Sequence, residues 1–273
     1  MLLYQLENPR STMIVKRPSQ ICKTPYVADI EMDGTSYLAH TPALGCCGLS
    51  DKGSTVVVSP VEKRGNKCAY TVYLSILEEK GNTIVVGIHP KIAETLVERM
   101  LDLNCLEFLK NHREMKREFS MLNSRFDFTG KDCNGRPYVM EVKNVPLADY
   151  VDVAKKDRKK YKHIEETKQY NEKIAYFPDG YRKSGNKVVS ERALKHVEEL
   201  SEIVSTTPYR AILCFVIQRT DVACFQPSNI DPTYKAAVRK AYDQGVEIYA
   251  VQVKWTKDGE CTFVRDNLPL GDF

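Results

Sequence analysis

The sequence lacks an apolar run long enough to cross a bilayer, and residues 1–7 carry neither the basic start nor the apolar stretch of a secretory signal peptide. We therefore expect an intracellular, cytoplasmic protein that does not insert into membranes, and we leave a nuclear location open. Nine cysteines and five histidines are present, but they include no Cys-x-x-Cys pair and no spacing typical of a zinc site. Reduced thiols are the expectation in such a compartment.

The sequence also lacks a strong excess of one charge. Its net charge of +4 over 273 residues is too small to indicate nucleic-acid binding by itself. The cations are unevenly distributed, however, since residues 155–162 place six of them beside a single acid. Such a run could contact phosphates, serve as a nuclear-import signal or form a solvated helix face, and the sequence leaves these interpretations open.

The pattern of apolar residues changes partway along the chain. Short strands separated by turns dominate residues 15–85, which indicates a small barrel. Helical spacing begins at about residue 90, so we predict a domain boundary near residue 86, with domains 1–86 and 87–273. Strands and helices alternate in the second domain, which is typical of an α/β (α+β) fold with a partly parallel sheet. Within it, the lysine-rich segment 149–174 is predicted to be a helical insertion.

Two acids and a lysine lie inside segments that otherwise have the composition of buried strands: Asp127 in one, Glu141 and Lys143 in the next. Side chains alternate along a strand, so Glu141 and Lys143 share a face. Burying a charge costs several kcal/mol unless the charge is paired or bound to a metal. A divalent cation with a phosphate would compensate, and an acid, a hairpin and Glu-x-Lys form the pattern of PD-(D/E)XK nucleases. An ordinary ion pair on a solvated sheet face is the alternative.

The register of this hairpin decides whether the two acids meet. Asn134-Gly135 at the centre of the intervening segment is typical of a hairpin. A loop centred on Asn134 puts Asp127 opposite Glu141, whereas a two-residue Asn134-Gly135 turn shifts the pairing by one residue. The sequence leaves both registers open.

Several blocks, in order along nearly the whole chain, resemble the sugar fermentation stimulation protein A (SfsA) family. They are Ala39-His40-Thr41-Pro42 with Gly45, Ser124-Arg125-Phe126-Asp127-Phe128, Glu141-Val142-Lys143-Asn144-Val145, Phe177-Pro178-Asp179, Glu191-Arg192 with Lys195-His196, Gln218-Arg219-Thr220-Asp221, Ile230-Asp231-Pro232-Thr233-Tyr234 and Gly245-Val246-Glu247. The resemblance implies an N-terminal OB-fold-like β-barrel and a C-terminal PD-(D/E)XK restriction-endonuclease-like domain, whose mixed sheet is flanked by helices. It also implies DNA binding and a link to the control of sugar metabolism.

Metal-assisted phosphodiester hydrolysis is the predicted chemistry. Asp127 and Glu141 would hold Mg²⁺ or Mn²⁺, with the Val142 carbonyl and a helical Glu118 as further ligands. Lys143 would orient the attacking water or stabilise the developing charge, and Gln218, at the end of a buried strand, would contact that water. The alternative is a non-catalytic DNA-binding regulator that keeps the fold.

Basic and aromatic side chains supply the predicted nucleic-acid contacts. OB folds grip strands with such residues, and the candidates in the first domain are Arg17, Lys23, Tyr26 and His40. Those in the second domain are Arg125, Arg192, Lys195 and Arg219. Structural roles remain alternatives: a core histidine for His40, a solvated helix face for Arg192 and Lys195, and a salt bridge to Asp221 for Arg219. RNA in place of DNA, and a homodimer, are left open.

Overall fold

The computed structural model describes residues 1–42, 48–61, 66–154, 156–178 and 188–272. These ranges contain three sheets and four α-helices. The strands are β1 (Leu2–Gln5), β2 (Arg10–Lys16), β3 (Val27–Met32), β4 (Thr35–His40), β5 (Thr55–Pro60), β6 (Tyr70–Glu79), β7 (Asn82–Gly87), β8 (Arg113–Met121), β9 (Ser124–Lys131), β10 (Pro137–Val145), β11 (Ala148–Asp149), β12 (Lys173–Phe177), β13 (Arg210–Ile217), β14 (Val222–Pro227), β15 (Glu247–Trp255) and β16 (Glu260–Arg265). The helices are α1 (Pro90–Asp102), α2 (Lys162–Thr167), α3 (Glu191–Thr206) and α4 (Pro232–Asp243).

Strands β2 to β7 form one curved sheet, in the order β4-β3-β2-β5-β6-β7. Strand β4 also pairs in parallel with β6, through Ala39 with Tyr70 and His40 with Thr71. Five strands therefore form a ring, but the closing contact is short and the barrel is unevenly closed. Its interior is apolar, with Ile14, Ile30, Val56, Val58 and Val72 among the buried residues.

A seven-stranded sheet, in the order β1-β16-β15-β13-β10-β9-β8, forms the centre of the rest of the molecule. Strands β10, β13 and β15 are mutually parallel, and the other pairs are antiparallel. Helix α1 packs into the apolar core on one face, and α3 and α4 into the core on the other. Residues 211–217 of β13 are buried without interruption, because helices cover both faces of this strand. The prediction of a mixed α/β fold is thus confirmed.

The two halves are connected by more than one crossing of the chain. Strand β1 pairs with β16, so residues 2–5 belong to the large sheet although they precede the barrel. A small sheet, β11-β12-β14, brings Leu147 and Tyr176 into the apolar core of the barrel. The division at residue 86 stays a prediction. In the segment 149–174, the described helical part is confined to a 3₁₀ turn at Arg158–Tyr161 and to α2.

No helix in the described ranges is long and apolar enough to pass through a bilayer. All seven cysteines in these ranges are free thiols. The predicted block residues Gly45 and Asp179, the adjacent Cys46 and Cys47, and Lys155 of the basic run lie outside the described residues.

Candidate metal and nucleic-acid site

The hairpin between β9 and β10 adopts the register of a loop centred on Asn134. Tyr138 pairs with Gly130 and Met140 with Phe128, so the next position along the ladder sets Asp127 against Glu141. The ladder ends there, and the Val142 N–H donates to Asp127 Oδ2 at 2.7 Å instead. The two acids are therefore neighbours at the point where the strands separate.

These acids line a cavity of about 620 Å³ between the barrel and the large sheet. Helix α1 contributes Pro90 and Glu94, and the start of α3 contributes Ser190, Arg192 and Ala193. The barrel side contributes Tyr26 and Pro42, and the remaining walls include Asp127, Glu141, Val142, Lys143, Asn144, Pro146, Leu147, Tyr176 and Phe177. Such a volume is typical of a small-ligand or nucleotide-sized site.

Glu141 is 3% exposed, and its two oxygens have different surroundings. Oε1 accepts a hydrogen bond from Lys143 Nζ at 2.5 Å and is also bonded to His196 Nδ1 on α3. Oε2 is buried and has no hydrogen-bond partner among the described residues. Burial acts to raise the pKa of Glu141, but Lys143 and His196 outweigh it and the pKa is lowered. The carboxylate is thus charged and half unsatisfied.

Asp127 has the opposite pKa shift. Burial raises the pKa of Asp127 to about 7, the carboxylates of Glu141 and Glu94 act in the same direction, and the hydrogen bond from Val142 lowers it. Lys143 also favours the charged form but does not compensate for both acids. With both acids ionised, the two carboxylates therefore exceed the single positive charge of Lys143.

The donor set fits a hard divalent cation. Within the described ranges, no group of three or more His, Cys, Asp or Glu side chains is arranged around a metal position. Two carboxylates, Asp127 and Glu141, and the Val142 carbonyl can nevertheless supply oxygen ligands. Mg²⁺ characteristically takes one or two carboxylates and completes its shell with water and phosphate. The unpartnered Oε2 of Glu141 is the atom that such an ion would satisfy.

The prediction of Glu118 as a helical metal ligand is wrong. Glu118 lies in strand β8 with a positive φ of 57°, and its exposed carboxylate is 3.5 Å from Arg125. The acid that reaches the cavity from a helix is Glu94 of α1, which Arg117 holds at 3.0 Å. The helical pattern of α1 was visible in the sequence, but nothing in it distinguished Glu94 from Glu98.

Gln218 and Arg219 are buried and bond to other residues of the protein, so both have structural roles. Gln218 is fully buried, donates to Asn144 Oδ1 at 2.5 Å and accepts from Trp255 Nε1 at 2.9 Å. It therefore positions Asn144, which lines the cavity, and does not line the cavity itself. Arg219 is 2% exposed and binds Asp221 through two hydrogen bonds of 2.6 Å. The predicted contact of Arg219 with a phosphate is wrong because its guanidinium is occupied by the salt bridge.

Of the four predicted contacts from the barrel, Tyr26 reaches the cavity, where it is 42% exposed. The Arg17 guanidinium bonds internally, to the carbonyls of Pro25 at 2.8 Å and Ser50 at 3.3 Å. Lys23 is exposed in the loop before β3. His40 is half-buried at the end of β4, and burial lowers its pKa.

Strand β9 and helix α3 carry three further predicted contacts, Arg125 on β9 and Arg192 and Lys195 on α3. All three are exposed on this side, and Arg192 lines the cavity. His196, which holds Glu141, was missed as a site residue. It lies among Ala193, Val197, Leu200 and Ile203, the buried face of the helix. A titratable side chain on such a face was the available signal, but it is equally typical of a core histidine.

A family model described as the sugar fermentation stimulation protein RE domain matches residues 91–156 and 151–259. A sugar fermentation stimulation protein homolog of Nitrosococcus oceani is 31% identical over 251 residues, which cover 90% of this chain and 92% of that protein. A homolog of Desulforamulus reducens is 30% identical over 228 residues, covering 83% and 80%.

Among solved structures, Pyrococcus furiosus SfsA in complex with Ca²⁺ matches with a TM-score of 0.75 over 100% of both chains, at 19% identity. This likeness shows a shared fold. Together with the family model and the bacterial relatives, it leads to one conclusion: the chain belongs to the sugar fermentation stimulation protein (SfsA) family.

Proposed function

We propose that this protein is a DNA-binding, metal-dependent nuclease that hydrolyses phosphodiester bonds in the cavity of Asp127, Glu141 and Lys143. One observation carries the proposal: the buried Oε2 of Glu141 has no partner among the described residues, in a cavity that also contains Asp127 and Lys143. A buried acceptor without a partner costs about 1–3 kcal/mol, and more when it is charged. A bound cation removes that cost.

The arrangement of elements supports the finer description of the fold. Helix α1, the antiparallel β8-β9-β10, α3 and the parallel β13 follow one another, with the acids on β9 and β10. This order supports a PD-(D/E)XK restriction-endonuclease-like domain. The strand cycle β2-β3-β4-β6-β5 supports an OB-fold-like barrel.

Each side chain of the trio has a separate role. Asp127 and Glu141, with the Val142 carbonyl, would hold Mg²⁺ or Mn²⁺. When bound, such an ion would supply Lewis acidity toward the phosphate and a water of lowered pKa. Lys143 lies against Glu141 and is placed to stabilise negative charge that develops on the phosphate oxygens. The Ca²⁺ bound by the Pyrococcus furiosus relative supports a divalent cation, since Ca²⁺ shares the preference for oxygen ligands.

The walls of the cavity suit a nucleic-acid strand. Tyr26 faces the cavity from the barrel, and its exposed ring can stack on a base. Arg192 enters from α3 and can pair with a phosphate. The barrel and the large sheet therefore both contribute to the substrate site.

A non-catalytic DNA-binding regulator is the second candidate. The observation that favours it is the ion pair between Lys143 and Glu141 at 2.5 Å. This pair neutralises one acid without a metal, so the fold can be stable as a binding protein alone.

The deciding experiment incubates purified protein with labelled single-stranded and double-stranded DNA in Mg²⁺ or Mn²⁺. Lys143→Ala and Asp127→Asn are assayed beside wild type, and Lys254→Ala, an exposed lysine of β15, serves as the matched control. Cleavage by wild type and by the control, lost in both site variants, supports the nuclease. Binding that weakens with salt, without cleavage in either metal, would replace it with the regulator.

A further inference from the structure

A second cavity, of about 460 Å³, lies beside the acid site and has no part in the proposed hydrolysis. The turn between β8 and β9 forms one wall, and the first turns of α3 form the other. We call it the basic crevice, and define it by Ser124, Arg125, Arg192 and Lys195. His196 and Glu191 also line it. Its lining therefore contains three cations and one acid.

The cations of the crevice are only partly occupied by partners within the protein. Arg125 is 3.5 Å from Glu118, but both side chains are more than 60% exposed, so this pair is weak. Lys195 donates to the Asn123 carbonyl at 2.6 Å. It also lies 3.7 Å from Glu199. Arg192 makes no hydrogen bond or ion pair with any described residue. A positively charged group in the lining of the crevice is therefore available to a ligand.

The position of Arg192 is unfavourable for the helix itself. It lies in the first turn of α3, where the helix dipole is positive and a cation costs about 0.3–1 kcal/mol. Ser124 presents a second unfavourable feature, since its Oγ is buried and has no hydrogen-bond partner among the described residues. An anion with several acceptor oxygens would satisfy the Ser124 hydroxyl and the Arg192 guanidinium together.

Two residues connect the crevice to the acid site. Arg192 lines both cavities. His196 lines the crevice, and its Nδ1 is bonded to Glu141. Arg192 and Lys195 are three residues apart on α3, roughly 4.5 Å along its axis. A nucleic-acid strand carries one phosphate per about 3.4 Å of helix axis, so this spacing suits contacts with the same phosphate or with adjacent ones.

We propose that the basic crevice binds a backbone phosphate next to the phosphate that is cleaved, on the same strand. The proposal rests on the proposed function, and it adds a path for the strand: from the acids, over Arg192, toward the turn between β8 and β9. The substrate is accordingly a polynucleotide with at least one further phosphate beyond the reacting bond. No residue of the lysine-rich segment 156–162 lines either cavity.

Equilibrium binding without cleavage tests the proposal. The full chain is titrated against a fluorescently labelled oligonucleotide in Ca²⁺, and anisotropy is recorded over a series of salt concentrations. The double variant Arg125→Ala/Lys195→Ala should bind about tenfold more weakly near physiological salt, and the slope of log affinity against log salt should fall by about one. Lys240→Ala, an exposed lysine of α4, is the matched control and should bind as wild type.

Ser124→Ala tests whether a loss of affinity arises from misfolding. Its hydroxyl has no hydrogen-bond partner among the described residues, so the unfolding temperature should be unchanged or slightly raised, while affinity for the oligonucleotide should fall about threefold to tenfold. A variant that keeps its stability and loses affinity assigns the hydroxyl to the ligand.

Failure of the crevice and failure of the proposed function give different results. Suppose that wild type binds the oligonucleotide and that Asp127→Asn or Lys143→Ala abolishes cleavage. Unchanged affinity in both Arg125→Ala/Lys195→Ala and Ser124→Ala then overturns the crevice proposal and leaves the proposed function standing. Loss of binding in Lys159→Ala/Lys160→Ala with unchanged binding in the crevice variants also overturns it, and assigns the strand to the lysine-rich segment. If wild type binds no nucleic acid, the proposed function and the crevice fail together.

Discussion

Two buried groups of charges lie where the barrel meets the rest of the molecule, and only one of them is balanced. In the balanced group, Lys173 contacts Glu79 of the barrel and lies 2.8 Å from Asp221, which Arg219 binds through two hydrogen bonds. Two cations meet two anions. Burial acts to raise the pKa of Asp221, but Arg219 and Lys173 outweigh it, and the pKa is lowered.

The acid site differs in that Asp127 and Glu141 share one lysine. The pKa of Asp127 is raised to about 7 by burial and by its acidic neighbours, and Glu141 Oε2 is unpaired among the described residues. The balanced group connects the barrel to the small sheet through ion pairs. The acid site, in contrast, still lacks a positively charged partner for one of its acids. Burial of charge alone therefore does not indicate a functional site. Buried charge that lacks partners of the opposite sign does.

The largest effect is expected when one of the two acids of the unbalanced group is neutralised. Glu141→Gln should reduce Mn²⁺-dependent DNA cleavage by about 10³-fold or more, since a metal contributes several kcal/mol of transition-state stabilisation. Initial rates on labelled DNA measure this. Asp258→Asn, an exposed acid after β15, is the control. Retention of more than about a tenth of the wild-type rate by Glu141→Gln would contradict the assigned role.

A substitution in the balanced group should lower the stability of the protein and leave its cleavage activity unchanged. Lys173→Met leaves Glu79 and Asp221 without their shared cation, which should cost about 3–5 kcal/mol of unfolding free energy. Urea denaturation measures the loss, and cleavage per folded molecule should be unchanged. Lys110→Met, which removes an exposed pair with Glu107, should cost less than about 0.5 kcal/mol. Equal effects of the two substitutions would invalidate the comparison.

The raised pKa of Asp127 predicts a pH-dependent cost in the metal-free protein. Between pH 3.8, the ordinary value, and about 7, the folded state binds more protons than the unfolded chain, so stability falls as pH rises through this window. Above pH 7 Asp127 is ionised in both the folded and the unfolded state, so its full destabilising effect is present. Asp127→Asn should then raise the unfolding free energy by about 1–3 kcal/mol, discounted for partial exposure.

At pH 4 wild type and Asp127→Asn should differ by less than about 1 kcal/mol, because Asp127 is protonated in the folded state and about half protonated in the unfolded chain. Chemical denaturation at pH 4 and pH 8, with a chelator present, measures the difference. A variant that is less stable than wild type at pH 8 would show that Asp127 is compensated within the protein.

The smallest expected effect concerns the residue that orients Glu141. His196→Ala should weaken Mn²⁺ binding about tenfold, because groups that hold a metal ligand typically affect affinity by about 10–100-fold. His196→Asn, whose amide can replace the Nδ1 donor, should recover most of the affinity. Calorimetric titration of Mn²⁺ measures both, and His163→Ala on α2 is the exposed control. Identical affinity in His196→Ala and wild type would exclude the orienting role.

Local patterns predicted a large part of this molecule. The N-cap at Ser190 was visible in the sequence, and its side chain accepts the Ala193 N–H. The helix after Asp231 and the buried strand around Phe215 were equally visible, because caps and apolar runs act within a few residues. The register of the β9–β10 hairpin stayed open, since Asn134-Gly135 is compatible with two loops and the choice depends on Asp132, whose Oδ1 accepts two backbone N–H groups.

The role of a charged residue was harder to predict than its position. Arg219 and Gln218 follow a buried strand, as ligand-binding residues often do. Their partners Asp221 and Trp255 nevertheless hold them inside the protein. The resemblance to PD-(D/E)XK nucleases suggested a helical glutamate at Glu118, but β8 pairs with β9 there and the carboxylate is exposed. Such outcomes depend on partners distant in the chain.

The sequence by itself determined the mixed α/β class, the acids on adjacent strands and membership of the SfsA family, because each rests on local periodicity or on residues that can be read in order. Tertiary structure alone decided that Glu94 reaches the acids, that His196 holds Glu141, and that Arg125 and Lys195 share a crevice with Arg192. Side chains from helices and strands far apart in the chain meet there, and only packing brings them together.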